Sequence, residues 1–358
     1  MYSIIIGTGS YIPTRKVHNK DFLGNVFYDS EGNKFEKSNE EIIEQFEKIT
    51  GIKERRFVTN DFLASDIAFF AAEEALASSK IDKESLDYII VANNFGDVRA
   101  DNKRSDFVPT IAARVKHKLR IENPQTIPYD LPFGCPGWLQ GMIQADYYLK
   151  SGDAKRALII GVETLSRVSD PHDRDSMIYS DGAGATIVEA ITSEEPVGIL
   201  SHSTRSDTLE QAYMLWMDKS YNPDHEGNEL YLKMQGHKVY EYALKTVPQV
   251  VRKSIEKAGL SLRDIQKVLL HQANAKMDEA ILKRLYMLYG EKDVPPDVMP
   301  MSISWLGNSS VATLPTLLDL LLKGKLNNHD LNKGDMIVFA SVGAGMNINS
   351  MVYRIPFL

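Results

Sequence analysis

The sequence predicts an α/β fold whose sheets are covered on both faces, and three observations carry that prediction. The apolar runs Ser3–Gly7, Tyr88–Ala92, Ala157–Val162, Ala185–Glu189, Val268–Leu270 and Met336–Ala340 are nearly continuous rather than alternating, as in strands buried on both sides. Helical segments fall between them, at Asp66–Ser78, Val108–Leu119, Trp138–Lys150, Lys238–Ala258, Lys276–Tyr289 and Ala312–Lys323, and such alternation builds layered α/β structures. The third observation is a repeat. At an offset of 179 residues Leu76 meets Ile255, Ile81 meets Leu260, Leu86 meets Ile265, and the strand Ala157–Gly161 meets Met336–Ala340. Half of the 358 residues is also 179, so the chain reads as two similar units, 1–187 and 188–358.

In chain order, the first strand runs into Gly7-Thr8-Gly9-Ser10, which lacks the spacing of a dinucleotide or nucleotide loop. The alanine-rich helix Asp66–Ser78 leads through IDKESLD into the strand Tyr88–Ala92. The helix Trp138–Lys150 starts after Pro136, whose missing N–H is unneeded at a helix start, and ends in Leu149–Gly152. Asp181-Gly-Ala-Gly-Ala185 opens the next strand, and Gly161-Val-Glu163 and Gly343-Ala-Gly345 close two others; all three suit tight turns or backbone donor sites. The helix VRKSIEKAG precedes LSLRDIQKVLL as AAEEALASS precedes IDKESLDYIIV. The last helix ends in Leu322–Gly324, and aligning it with Leu149–Gly152 gives an offset of 173 that sets Cys135 opposite Asn308, each at a helix start.

Composition narrows the function. Hydrophobic residues make up 43% and charged residues 25%, as in soluble globular chains. With 41 basic and 48 acidic residues the net charge is −7, so there is no overall basic excess for nucleic acid. One cysteine excludes an internal disulfide framework. The opening MYSIIIGTGSYIP lacks a secretory pattern, and no run approaches the roughly 18 apolar residues of a membrane span. The expected location is cytoplasmic. The acidic cluster Asp170-Pro-His-Asp-Arg-Asp175 is too bunched for ligands to converge on one ion, so no metal is expected.

Three residue types can carry chemistry. Cys135, in FGCPGW, sits at a helix start, where the dipole favours an anion and can lower a thiol pKa; alternatively it is a small buried hydrophobe. His271 follows the strand KVLL, at the carboxyl end where α/β proteins gather ligands, and suits proton transfer or donation to an oxyanion; alternatively it is a hydrogen-bonded structural histidine. Asn308, in WLGNSS, reads alone as a turn or cap residue. Basic residues cluster in RVKHKLR and at Lys276, Lys283 and Arg284, as a solvated helix face or a dock for an acidic partner.

The motifs IIGTGSYIP, TGIKERR, GVETLSR, SDPHDR, SDGAGA, HQAN, LGNSS and GAGMNINSMVYR, in this order along nearly the whole chain, resemble the beta-ketoacyl-acyl carrier protein synthase III family, condensing enzymes of the thiolase superfamily. The resemblance implies a duplicated five-layered αβαβα fold, a homodimer and an active site of Cys135, His271 and Asn308. It implies acylation of Cys135 by a coenzyme A or carrier-protein thioester, with an oxyanion hole from the backbone of Cys135 and of Gly343, Ala344 and Gly345. Decarboxylation of a malonyl-acyl carrier protein then gives an enolate held by His271 Nε2–H and Asn308 Nδ2–H, and condensation gives a beta-ketoacyl product, the opening step of fatty acid biosynthesis. No metal or redox cofactor is implied. Arg174 and Asn274 match substrate-side residues, Gly236 lies in the family's MxG motif, and Phe107 or Val108 matches the acyl-tunnel gate. Lys276, Lys283 and Arg284 match the face that docks acyl carrier protein.

Two other readings stand beside this one: a specialised condensing enzyme for lipids of dialkylresorcinol or polyene type, and a non-condensing acyltransferase or thioesterase. An inactive partner subunit is disfavoured because Cys135 is present. The chain departs from the pattern in having no tryptophan before TGI, in Ile49 where an arginine is common, in Glu241 where a basic residue is common, and in apparent insertions at Asn25–Lys37 and Gly96–Ser105.

Overall fold

The structure, a computed structural model, describes residues 1–356. Its two main sheets share a strand order. The first holds β1 (Tyr2–Tyr11), β2 (Tyr88–Ala92), β3 (Ile127–Leu131), β4 (Arg156–Thr164) and β5 (Asp181–Ile191), arranged β1-β5-β4-β2-β3. The second holds β6 (Gly198–Ser206), β7 (Ile265–Leu270), β8 (Met336–Gly343) and β9 (Asn347–Arg354), arranged β6-β9-β8-β7. In both, the edge strand runs antiparallel to its neighbour, that neighbour antiparallel to the next, and the following pair is parallel. β5 runs through residues 187 and 188 without interruption, so the passage between the sheets lies in the connection 192–197, not at 187/188.

Seven longer helices complete the layers: α1 (Asn39–Thr50), α2 (Ala64–Ser79), α3 (Ile111–Lys118), α4 (Gly137–Ser151), α5 (Gly236–Lys257), α6 (Ala275–Leu288) and α7 (Thr313–Leu322). α2 and α3 cover the outer face of the first sheet, with Ile67, Ala71 and Val115 against Ile89, Leu158 and Ile160. α4 and α7 fill the middle, where Leu139, Met142, Leu317 and Leu318 meet Ile90 and Ile159 of one sheet and Phe339 and Met351 of the other. α5 and α6 cover the second sheet with Val247, Val251, Ile281 and Leu285. This is the αβαβα order. α7, TLPTLLDLLL, is apolar nearly all round because it is surrounded. Each such side chain gains about 1.5–3 kcal/mol on full burial.

The differences from the sequence reading have local causes. The helix expected from Val108 begins at Ile111, because Thr110 Oγ1 accepts the Ala113 N–H and the Asp130 carboxylate accepts the N–H groups of Ile111 and Ala112. α1 was not expected, yet it carries a full capping box between Ser38 and Glu41 and ends at Gly51. Gly7-Thr8-Gly9-Ser10 lies inside β1 rather than in a turn. A Cβ on Gly9 would stand 2.3 Å from the Ala71 carbonyl, so this glycine lets α2 approach the strand.

Candidate active site

The two halves of the chain meet where α4 and α7 begin. Cys135 lies one residue before the cap of α4, which is Pro136, so the helix opens at Gly137. The Gly343–Gly345 turn presses against it. A Cβ on Gly343 would stand 2.5 Å from the Cys135 nitrogen, and one on Gly134 (φ +64°) would stand 2.8 Å from the Ala344 nitrogen. Only glycine at both positions lets the two backbone segments touch. The Cys135 and Ala344 N–H groups donate to no other carbonyl in turns or loops among the described residues.

Ser310 ties the three candidate residues together. Its hydroxyl donates to Cys135 Sγ at 3.4 Å, its N–H donates to Asn308 Oδ1 at 2.8 Å, and its carbonyl accepts the Thr313 hydroxyl at 3.0 Å. Thr313 Oγ1 in turn lies 2.7 Å from His271 Nδ1. Ser310 is held at φ +52°, a left-handed conformation costly for a residue with a side chain, as found at functional sites. The strand-end position of His271 is fixed by its N–H donating to the Ala340 carbonyl at 2.9 Å.

The Ser310 carbonyl already accepts the Thr313 N–H, so the Thr313 hydroxyl can donate to His271 Nδ1 and leave the ring proton on Nε2, where the sequence reading placed it. Asn308 Oδ1 is occupied by the Ser310 N–H, which leaves the Nδ2 donors free for a ligand, as expected. Burial lowers the His271 pKa to about 4, so the ring stays neutral across the ordinary range.

The thiol differs from its expectation. Burial pushes Cys135 up to about 11; the Ser310 hydrogen bond opposes this, and the Glu163 carboxylate adds to it. The helix start does not bring the thiol into the acidic range, because among the described residues no cation offsets its burial and His271 is neutral. Glu163 is itself buried and pushed up to about 8, with its Oε1 accepting both the N–H and Nδ2–H of Asn94 at 2.7 Å. Asn94 Oδ1 then accepts the Gly134 N–H at 2.9 Å, so the buried carboxyl reaches the nucleophile's loop through one side chain. Sequence reasoning missed Ser310, Thr313 and Asn94. The first two stand within five residues of Asn308, in the polar run GNSSVAT, which was the available signal.

The remaining predicted residues are more scattered. Arg174 is half-exposed, with its guanidinium 5.2 Å from the Phe35 ring centroid and Nε 3.8 Å from Asp175. Phe35 comes from the segment 25–37, which is stitched to the SDPHDR loop by Asn25 donating to the Pro171 carbonyl and Tyr28 N–H donating to that of His172. The acidic cluster is occupied internally: Asp170 takes the buried Lys233 ammonium at 2.5 Å, together with Ser220 and the Tyr221 N–H. Asn274 caps α6 by accepting the Met277 N–H at 3.1 Å. Gly236 opens α5 beside Asp175, 3.8 Å from where its Cβ would lie. Phe107 and Val108 are 41% and 85% exposed, on the surface of the single chain. Lys276, Lys283 and Arg284 are exposed on α6, and the last two line a groove of about 610 Å³ between α5 and α6 with Lys245 and an apolar floor of Leu244, Pro248 and Met287.

Comparison with known proteins agrees with this geometry. The family model for 3-oxoacyl-[acyl-carrier-protein (ACP)] synthase III matches residues 129–208, and that for its C-terminal domain matches residues 255–355. The chain is 32% identical over 355 residues to beta-ketoacyl-[acyl-carrier-protein] synthase III 1 of Vibrio vulnificus, covering 99% of this chain and 100% of that one. Its fold superposes on the crystal structure of 3-oxoacyl-(acyl carrier protein) synthase III from Pseudomonas aeruginosa with a TM-score of 0.81 at 26% identity, covering 100% and 99%. The priming beta-ketosynthase of the R1128 polyketide pathway also superposes at 0.81, with 25% identity and coverage of 99% and 96%.

Proposed function

We propose, from the premise that this chain belongs to the 3-oxoacyl-[acyl-carrier-protein] synthase III family of acyl-transferring condensing enzymes, that it joins an acyl thioester to malonyl-acyl carrier protein with loss of carbon dioxide, the initiating condensation of fatty acid biosynthesis. The observation that carries this reading is the Ser310 hub, which links a thiol, an imidazole and an amide in one buried place.

The steps follow from the groups. Cys135 sulfur attacks the acyl carbonyl, and its proton goes to the departing thiolate. The C–O⁻ that forms is placed against the Cys135 and Ala344 N–H groups. The C–S bond of the donor breaks, and the departing thiolate takes up that proton. The malonyl thioester then loses its carboxylate as carbon dioxide, and the electron pair left behind is held as an enolate by His271 Nε2–H and by Asn308 Nδ2–H. Its carbon attacks the acyl-cysteine, a C–C bond forms, and Cys135 leaves as the thiolate. Every step uses this chain's own groups, and the reading needs no metal or redox cofactor. A non-condensing transferase has less need for two enolate donors, so the presence of both His271 and Asn308 favours condensation.

The reading extends to a cytoplasmic homodimer. Its support is the open edge of β3, paired only with β2 on its inner side, with Ile127 half-exposed; such edges are normally covered. Among the described residues no helix is long and apolar enough to cross a membrane. The test of the condensing reading is a pair of variants. His271→Ala and Asn308→Ala should still acquire an acyl group but lose malonyl decarboxylation by about 10²–10³ each, the usual cost of one oxyanion donor. A variant that decarboxylates at the wild-type rate would remove that residue from the mechanism.

A further inference from the structure

Tyr179 is a buried polar group close to the site that the mechanism above leaves unused. The residue is only 4% exposed, and its hydroxyl has no hydrogen-bond partner among the described residues. A buried phenol normally finds one, because an orphaned hydroxyl carries its full desolvation cost. Its position ties it to the site. Tyr179 and Asn308 form an isolated parallel bridge, in which Asn308 N–H donates to the Ile178 carbonyl at 3.0 Å and Ser180 N–H donates to the Asn308 carbonyl at 2.8 Å. Bridge partners project to the same face, so the Tyr179 and Asn308 side chains leave the backbone on one side.

Tyr179 belongs to a buried apolar cluster with Val98, Leu165 and Val168, against which Phe95, Met217 and Leu232 pack. Burial and then the charges of Asp175, Asp173 and Cys135 hold its proton on, so it is a donor at every working pH. Asp175, Asp173 and Cys135 act on it electrostatically, which places it near both the thiol and the SDPHDR loop. Solvent reaches that loop at Arg174 and Asp175, whose side chains are 53% and 31% exposed.

We propose that the Tyr179 hydroxyl is a substrate-binding donor that takes an amide carbonyl on the arm of the incoming thioester. The acceptor is neutral, because Asp173 and Asp175 repel a carboxylate or phosphate at that place. The arms of coenzyme A and of a carrier protein both present such a carbonyl two carbons and one nitrogen from sulfur. The inference rests on the acyl-enzyme reading, since it needs a thioester delivered to Cys135.

The test uses Tyr179→Phe, which removes one oxygen and keeps the ring. The acylation rate of Cys135 is followed by intact mass with the N-acetylcysteamine thioester of butyrate, which has the amide, and with ethyl thiobutyrate, which lacks it. The variant should lose about tenfold with the first, the order expected for an unmade buried hydrogen bond, and nothing with the second. Butyryl coenzyme A and butyryl carrier protein should both show the loss. Thermal melting of the free variant should be unchanged or higher, because the substitution removes an unpaired group and breaks no bond. Equal losses with both small thioesters, no loss with either, or a lower melting temperature would each overturn the proposal while leaving the acyl-enzyme in place. Failure of the unmodified protein to take any of the thioesters on Cys135 would overturn the acyl-enzyme reading and this inference with it.

Discussion

The Thr313 hydroxyl stands 2.7 Å from His271 Nδ1 and 3.0 Å from the Ser310 carbonyl, and this relationship lets it hold the ring with its proton on Nε2. Thr313→Val should leave Nδ1 without its partner in a buried site and free the ring to change tautomer. Malonyl decarboxylation should fall by about 10-fold or more, from an unsatisfied-group cost of about 1–3 kcal/mol, and Thr313→Ser should restore it. Imidazole ¹⁵N shifts should report Nε2–H in the parent protein and a mixture in Thr313→Val. A pure Nδ1–H form in the parent would reverse the assignment.

The thiol makes a pH prediction. Burial raises Cys135 to about 11, so the iodoacetamide reaction rate should climb through pH 7–9 without a plateau. Ser310→Ala should push the thiol higher, because that hydrogen bond lowers it. Glu163→Gln should pull it down above pH 8, where the parent carboxyl is charged. A plateau near pH 7 would show an activated thiolate in the free protein.

Glu163 also links to stability. Its folded pKa of about 8 lies above its ordinary 4.5, so the unfolded chain gives up this proton first. The group's favourable contribution is complete below its ordinary pKa and is lost as pH rises through 8. Glu163→Gln, whose amide oxygen can still accept from Asn94, should therefore gain in melting temperature relative to the parent at pH 9 compared with pH 5. A constant difference at both pH values would show that the carboxyl is ionised throughout.

The α6 face should act in carrier recognition. Lys276→Glu with Lys283→Glu should raise the KM for malonyl-carrier protein, more at low salt, where exposed charges are less screened. Turnover of a small malonyl thioester should barely change. The neighbouring pair His237 and Glu241, 3.6 Å apart on α5, puts a carboxylate near this face and limits its field, so docking relies on few contacts. Equal damage to both substrates would assign the helix to folding.

Much of this architecture is legible in the sequence because the buried strands are apolar runs and the buried α7 is apolar on nearly every face. β3 and β6 are not legible in that way. IPYDL and GILSHSTRS mix polar residues because each is an edge strand with one side exposed. Cys135, His271 and Asn308 stand out through their motifs, but their coupling does not. Ser310 reaches Cys135 across 175 residues, and nothing local to either announces it. The tautomer of His271 and the orphaned hydroxyl of Tyr179 depend on which acceptors are already occupied, and only the packed structure shows that. The thiol's pKa was misjudged because a helix start is visible in sequence while the burial that outweighs it is not.

The central claim is an acyl group carried on Cys135 and discharged onto a malonyl-derived carbon. Intact-protein mass measured before and after a malonyl-carrier protein chase tests it most directly. Incubation with a short acyl thioester should add one acyl mass to the parent protein and none to Cys135→Ala, and the chase should remove that mass with release of carbon dioxide and appearance of a beta-ketoacyl-carrier protein. An acyl mass retained by Cys135→Ala, or lost from the parent as free acid with no condensed product, would contradict it.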